Sequence, residues 1–254
     1  MTAAPASVPD RILTVVKTEW LSPAMVRVIF TGDPMAHPGF SDTYIKLVFV
    51  GVRRAYTVRW VDGDEFAVDF VVHGDEGLAG PWAASAVAGD QLTYVGPGGD
   101  WSPRPSANCH LFVGDESALP AIASGLDALL AANPAATALV FAEVATEADR
   151  YPLPLGPNVR VTWVLRDGAA YGTKLVDAVM AALFPAGDVE AFVHGNAEMV
   201  RPLRRYLLGE RGLPREHLSV SGYWRSGMTD EGWRASKRDF NAAMEAETES
   251  GDQS

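Results

Sequence analysis

Residues 96–105 read Gly96-Pro97-Gly98-Gly99-Asp100-Trp101-Ser102-Pro103-Arg104-Pro105, three prolines and three glycines in ten positions. Proline fixes φ and removes a backbone donor, while glycine is the residue most costly to order, so no regular element is expected to cross this stretch. The 254-residue chain is therefore expected to divide into a domain at 1–101 and a second at 107–227, joined by a linker at 102–106 and followed by a helical tail at 228–254.

The two sides of the break carry different hydrophobic periods. Before it, short β-branched and aromatic runs at 12–20, 25–31, 44–50, 55–60, 66–72 and 91–95 are punctuated by Gly32-Asp33 and Asp62-Gly63-Asp64, which predicts a six-stranded antiparallel β-barrel. Between the fifth and sixth runs, Gly77-Leu78-Ala79-Gly80-Pro81-Trp82 is expected to be a glycine loop entering one short helix, with proline in the first turn. After the break, nearly continuous apolar runs at 110–113, 138–141, 159–165, 190–193 and 218–221 alternate with helical patterns at 119–130, around Leu175, Val179 and Leu183, and at 199–208. That order predicts a C-terminal α/β doubly wound parallel sheet covered on both faces. In the tail, Thr229 is placed to cap a helix with Asp230 and Glu231 in its first turn, and Trp233, Phe240 and Met244 share one face and should dock. Met1–Pro9 is expected to be a loose start, and the acidic last residues to fray.

Charge and composition exclude several functions. A formal charge of -11 opposes binding to nucleic acid and to anionic membrane, and no apolar run approaches the length of a membrane span. The lone Cys109 forbids an intrachain disulfide and a thiolate metal site, and His37, His73, His110, His194 and His217 have no metal-binding spacing, so no protein-held metal is expected. The chain is expected to work in the cytoplasm as a monomer, and any anionic ligand must meet a local basic pocket.

The richest local inventory is Arg54-Ala55-Tyr56-Thr57-Val58-Arg59. On a strand, Arg54, Tyr56 and Val58 face one way and Ala55, Thr57 and Arg59 the other, so a cation, a flat aromatic and a hydroxyl sit on one rigid element. That set suits a flat, phosphate-bearing ligand; a sheet strand with a packed tyrosine and snorkelling arginines is the alternative. Gly114-Asp115-Glu116-Ser117-Ala118 follows an apolar run and opens a helix, where open parallel sheets bind ligands, although Ser117 as a helix cap explains the same residues. Glu143 ends the next strand, a position from which a carboxylate can meet a ligand held at the strand ends. His194-Gly195-Asn196-Ala197 ends another strand, with plain turn chemistry at Gly195 as the alternative.

The hexapeptide at 54–59 is joined by Asp69-Phe70-Val71-Val72-His73-Gly74, Gly114-Asp115-Glu116-Ser117-Ala118-Leu119-Pro120-Ala121 and Ser221-Gly222-Tyr223-Trp224-Arg225-Ser226-Gly227. Together these four segments resemble the siderophore-interacting protein family of ferric-siderophore reductases, within the ferredoxin-NADP reductase superfamily. The resemblance implies FAD on the barrel and NADH or NADPH on the sheet, with Glu143, placed to bond ribose hydroxyls and oppose a 2′-phosphate, favouring NADH. Arg54 would contact the flavin dinucleotide's phosphates, Tyr56 would lie against the isoalloxazine and Thr57 would bond near its N5 edge, with Tyr56 and Thr57 nearest the chemistry. Val58, Asp69, Val71 and His73 would stand close by; His73 read alone is equally a strand-ending histidine bonded to a turn. Gly77, Ala79, Gly80, Trp82 and Ala83 would face the pyrophosphate, where relatives usually carry Gly-Pro-Ala-Ser-x-Trp. This chain lacks that serine and has Pro81 in place of an N–H donor. Asp115, Glu116, Ser117, Ala118, Glu143, Gly195 and Asn196 would form the nicotinamide nucleotide side. Lys46, Arg225 and Lys237 would hold an anionic ferric siderophore, although Lys46 read alone is a solvated lysine. The implied activity is electron transfer from NAD(P)H through flavin to Fe(III)-siderophore, releasing Fe(II). A flavin reductase with another acceptor, and a non-catalytic siderophore-binding protein, are the alternatives.

Overall fold

The computed structural model describes residues 11–32, 39–73 and 77–251, the side chains of 248–251 excepted. The expected loose start at Met1–Pro9, Asp33, His37, Gly74 and the last residues lie outside that range. The chain forms two compact units, 1–101 and 102–254.

In the first unit six strands, β1 (Arg11–Ser22), β2 (Met25–Gly32), β3 (Tyr44–Phe49), β4 (Val52–Asp62), β5 (Glu65–Val71) and β6 (Gln91–Gly98), close into a barrel in the order β1-β2-β5-β4-β3-β6. Alternation puts Leu13, Val15, Val26, Val28, Phe30, Ile45, Leu47, Phe66, Val68 and Phe70 into one core. Helix α1 (Ala79–Ser85) adds Ala79 and Ala83 to that core, and its Trp82 packs on Phe30, Phe49 and Phe70. The expectation that structure stops at Gly96 is corrected: β6 runs on through Gly98. It does so with one extra residue opposite β3, since Tyr44 faces Gly98 while Lys46 faces Val95, a bulge that suits a Gly-Pro-Gly sequence. Beyond it, Asp42 accepts the N–H groups of Asp100 (3.0 Å) and Trp101 (2.9 Å), closing the end of the unit onto the loop before β3.

The second unit is a parallel sheet of β7 (Cys109–Gly114), β8 (Ala138–Val144), β9 (Val159–Leu165), β10 (Val189–Asn196) and β11 (Leu218–Trp224), in the order β11-β10-β7-β8-β9. The crossovers are α2 (Leu119–Ala132), α3 (Thr173–Ala181) and α4 (Ala197–Arg205), and α5 (Asp230–Gly251) follows the last strand. The chain advances from β7 to β9 and then returns to the other side of β7 for β10. Right-handed crossovers in opposite directions lie on opposite faces, hence the double winding. Cys109, Leu111, Val113, Val189, Ala191 and Val193 form one face under α3, α4 and α5. Leu183 departs from the expected helical face: α3 ends before it and it is 93% exposed. The tail docks as its spacing predicts, with Trp233 and Met244 buried and the Trp233 indole N–H donating to Gly222 O at 3.3 Å. No helix among the described residues is long and apolar enough to cross a membrane.

Candidate functional site

On the barrel, register decides which side chains of β4 reach a ligand. Tyr56 is opposite Ile45 and Arg54 opposite Leu47, so both share the side of β3 that forms the core. Tyr56 is half-buried with its ring centroid 4.5 Å from that of Phe70, and the half-buried Arg54 bonds the carbonyl of Arg53 at 3.3 Å. Thr57 lies on the outer side, directly opposite Tyr44, and Lys46 on the same side is opposite Ala55. Val58 is buried and gives its N–H to Thr43 O at 2.8 Å, leaving neither side chain nor donor for a ligand.

Three further expectations on this unit change. Asp69, expected beside the cofactor, is buried and receives both ends of the Arg27 guanidinium at 2.7 and 2.8 Å across the β2–β5 pair. Ala79 and Ala83 point into the core, so only their backbone is left for a ligand. Gly80 permits the close approach of α1 to the sheet, because a Cβ there would lie 3.1 Å from Val71 O. Val71 itself is half-buried, and His73 just beyond β5 is exposed. Leu78 precedes α1 with no side-chain cap, so the first-turn N–H groups of Ala79 and Gly80 lack a capping side chain, while Pro81 has no N–H to offer. Gly77 takes a φ of 82°, as the turn into this helix requires.

On the sheet, the ends of β7 and β10 flank the point where strand order reverses, where parallel sheets bind ligands. Asp115 fills it from below. One carboxylate oxygen takes Ser117 N–H (2.9 Å) and Ser117 Oγ (2.5 Å), the other Asn196 N–H (2.7 Å) and Trp224 Nε1 (2.9 Å). Burial pushes the Asp115 carboxyl up to about 6, against the pull of the Ser117 bond, with Glu116 raising it further. Ser117 is thus a partner of Asp115 and does not cap α2, whose preceding residue is Ala118. Asn196 caps α4 through Glu198 N–H at 2.8 Å and donates to Ser226 at 3.1 Å.

The carboxylates expected to face a nucleotide are turned inward. Arg166, just after β9, binds Glu116 at 2.8 Å and Glu143 at 3.2 Å, and Glu143 also takes Gly172 N–H at 3.1 Å on both oxygens. Glu143 is fully buried, and burial raises its carboxyl against the Gly172 and Arg166 bonds. Burial acts to lower the Arg166 guanidinium, but its carboxylate partners outweigh that and raise it. Arg166 lies 3.7 Å over the Tyr171 ring, which meets Trp224 edge-on at 4.5 Å. Arg166, Tyr171 and Trp224 have no role expected from sequence, although Arg166 sits at a strand's carboxyl end and Trp224 lies within the Ser221–Gly227 segment.

Two of the three cations expected to hold a substrate find partners within the chain. Arg225 pairs with Glu198 at 2.8 Å, and Lys237, its ammonium lowered by burial, donates to Ser221 at 3.1 Å. Lys46 is half-buried and pairs with no carboxylate among the described residues. His194 is buried between Ser219 (2.9 Å) and Tyr223 (3.0 Å) and stacks on Phe192 with ring centroids 3.6 Å apart. Burial, helped by Lys237, depresses it to about 3, so it is neutral at physiological pH.

Residues 107–227 match a family model described as siderophore-interacting protein, and residues 50–101 one described as siderophore-interacting FAD-binding domain. The chain is 30% identical to ferric vibriobactin reductase ViuB of Vibrio cholerae, over 88% of this chain and 92% of that protein. It is 29% identical to NADPH-dependent ferric-chelate reductase of Escherichia coli, over 85% and 93%. A siderophore utilization protein from T. fusca superposes with a TM-score of 0.78 at 33% identity, covering 87% of this chain and 95% of the other.

Proposed function

The chain belongs to the siderophore-interacting protein family, and on that premise we propose that it is an FAD-dependent reductase acting in the cytoplasm on ferric siderophores, with NADH or NADPH as electron donor. The observation that carries this reading is the presentation of Arg54, Tyr56 and Thr57 on β4, within the stretch matched by the FAD-binding domain model.

The barrel's donor set fits a flavin dinucleotide in kind. Arg54 supplies a half-buried cation for a phosphate, and the Tyr56 ring, backed by Phe70, supplies a flat apolar wall. The half-buried Thr57 hydroxyl, which has no partner among the described residues, can donate to or accept from a ring edge. The first turn of α1 offers Ala79 and Gly80 N–H groups to an anion, one donor short at Pro81. Bound there, the flavin supplies the chemistry that couples a two-electron donor to a one-electron acceptor. The protein's part is placement and charge: Arg54, Tyr56 and Thr57 orient, and Lys46 attracts an anionic iron chelate. The iron is substrate, and as Fe(II), with less charge, it holds hard oxygen ligands more weakly than as Fe(III).

The test is anaerobic titration of the FAD-reconstituted protein with NADH and with NADPH. The reading expects bleaching of the flavin band by at least one of them and recovery of the band when ferric siderophore is added. Bleaching by neither would sink it and favour a siderophore-binding protein. Recovery with free flavin or a redox protein but not with a ferric chelate would assign another acceptor. Tyr56→Ala and Thr57→Ala are expected to lower flavin content or slow bleaching, and unchanged values in both would remove those residues from the site.

A further inference from the structure

We propose that the amino-terminal end of the parallel sheet carries a separate ligand site, a cavity at Arg211 that takes a small monocarboxylate with a flat apolar body, benzoate being the simplest example. The site lies within the sheet unit and does not depend on the reductase reading.

It begins with a departure from regular helical winding. Tyr206–Glu210 continue α4 as a π-helical turn, and Arg211 gives its N–H to Tyr206 O, five residues back, at 3.0 Å. Neighbours on one face of an α-helix are three or four residues apart, whereas the wider turn returns residue 211 over residue 206. The Arg211 guanidinium therefore lies 4.9 Å from the centre of the Tyr206 ring and 5.4 Å from that of Phe184, and its Nε donates to Tyr206 Oη at 2.7 Å. Tyr206 is itself buried and donates to Met180 O at 3.4 Å, so the arginine is held by a fixed group. Among the described residues no carboxylate pairs with Arg211, and its two terminal nitrogens have no bonding partner.

The same arginine lines a cavity of about 160 Å³, together with the loops that lead into β10 and β11. Phe184, Val189, Leu213 and Pro214 give the cavity carbon walls, while Gly187 and Gly212, both at positive φ (87° and 65°), add no side chain to it. Asp188 also lines it but is bound by Arg104 at 2.9 and 3.2 Å and by His217 at 3.3 Å. Arg211 is exposed, so the cavity is reached from solvent.

The ligand class follows from these groups. A guanidinium fixed through Nε, with its outer fork open, meets a carboxylate by two parallel N–H···O bonds, and little of its freedom is left to lose on binding. The carbon walls reward an apolar body, and a cavity of about 150 Å³ accepts a ring the size of benzene. Asp188 stays negative although paired, and the chain carries a formal charge of -11, so a second negative charge on the ligand is penalised. A monocarboxylate is thus favoured over phosphate.

The experiment titrates the full chain by calorimetry with benzoate, benzyl alcohol and inorganic phosphate, alongside thermal melts. Wild type is expected to bind benzoate more tightly than either of the others, and saturating benzoate to raise the thermal midpoint. Arg211→Met, which keeps an apolar stem against the two rings, should weaken benzoate at least about 10-fold, the worth of hydrogen bonds to a charge. Arg211→Lys keeps the charge without the fork and should recover only part of that loss. Tyr206→Phe keeps the ring but removes the acceptor for Nε, and should weaken benzoate roughly 2- to 12-fold. No benzoate binding by wild type, tighter binding of phosphate or benzyl alcohol than of benzoate, or benzoate affinity unchanged in Arg211→Met would overturn the proposal. Benzoate retained by Arg211→Met but lost by Lys46→Ala would overturn it as well, by moving the ligand to the barrel.

Discussion

Trp224 donates its indole N–H to the carboxylate of Asp115 across 2.9 Å, fastening the last residue of β11 to the turn that follows β7. The same oxygen accepts the N–H of Asn196, the last residue of β10, at 2.7 Å. One buried side chain therefore gathers three strand ends at the reversal of the sheet. Gly195 makes room for it: its φ is 130°, and a Cβ there would lie 2.8 Å from the carboxylate. The carboxylate beneath this crevice is thus filled by the chain's own donors, Ser117 included.

Asp115 should make stability fall as pH rises. Its carboxyl is raised from 3.8 to about 6 by burial, so the folded state holds the proton over a range in which the unfolded state has lost it. The stabilisation is complete below pH 3.8 and is lost as pH climbs through about 6, an effect on the order of 3 kcal/mol. Asp115→Asn does not titrate. In urea melts, the excess stability of wild type over this variant should be largest near pH 4 and shrink towards pH 7; a gap that widens with pH would refute the assignment.

His194 should act in the opposite direction. Its depressed value of about 3, against 6.5 for the free side chain, means that the unfolded chain takes up a proton that the folded chain refuses. Stability is full above pH 6.5 and drains away as pH falls towards 3, by about 2 kcal/mol at pH 5. His194→Gln can keep bonds to Ser219 and Tyr223 without titrating, so its acid limb should be flatter than that of wild type. Identical acid limbs would show that the imidazole is not the group responsible.

How far the sequence could be read depended on the range of the interaction. The barrel strands were legible because Ile45, Leu47 and Phe49 alternate with Tyr44, Lys46 and Val48, a period of two visible within six residues. Thr229 and the Trp233, Phe240, Met244 face were legible for the same local reason, and Gly232 N–H does bond Thr229 Oγ1 at 3.2 Å. What stayed hidden were pairings set by tertiary structure. Arg27 with Asp69, Arg166 with Glu116 and Glu143, and Arg225 with Glu198 join residues far apart in the chain, and each gives an expected ligand group a partner within the chain. The bulge that carries β6 through Gly96-Pro97-Gly98 was hidden because Gly and Pro also spell a loop.

The Arg27–Asp69 pair gives a direct test of that distinction. The Asp69 side chain is fully buried and that of Arg27 is 15% exposed. Asp69→Asn removes the charge that both ends of the guanidinium meet and should cost roughly 3 kcal/mol, whereas Arg27→Met combined with Asp69→Leu should recover most of it. Denaturation midpoints decide: a double variant no more stable than Asp69→Asn would mean that the carboxylate serves something besides the pair.

Val50 and Gly51 form the two-residue turn between β3 and β4, both with positive φ, 48° and 80°. Such turns suit Asn-Gly, and a β-branched residue is strained there. Val50 is 94% exposed, so little packing is lost on replacement. Val50→Asn should raise stability by about 1 kcal/mol, seen as a higher thermal midpoint; a lower midpoint would show that the valine makes a contact worth more than the strain.

Glu143 bears on the choice of donor. At the end of β8 it occupies the position from which a carboxylate would bind a ribose 2′-hydroxyl and repel a 2′-phosphate. Its two oxygens are instead taken by Gly172 N–H and Arg166, and the side chain is sealed from solvent. A sealed carboxylate cannot read the 2′ substituent. Glu143→Gln should therefore lower the thermal midpoint, through the weakened Arg166 bond, while the ratio of kcat/KM for NADH over NADPH in flavin bleaching moves less than about 2-fold. A carboxylate that directly bonded the ribose would shift that ratio at least about 10-fold on neutralisation. A shift of that size, with the midpoint unchanged, would return Glu143 to the nucleotide site.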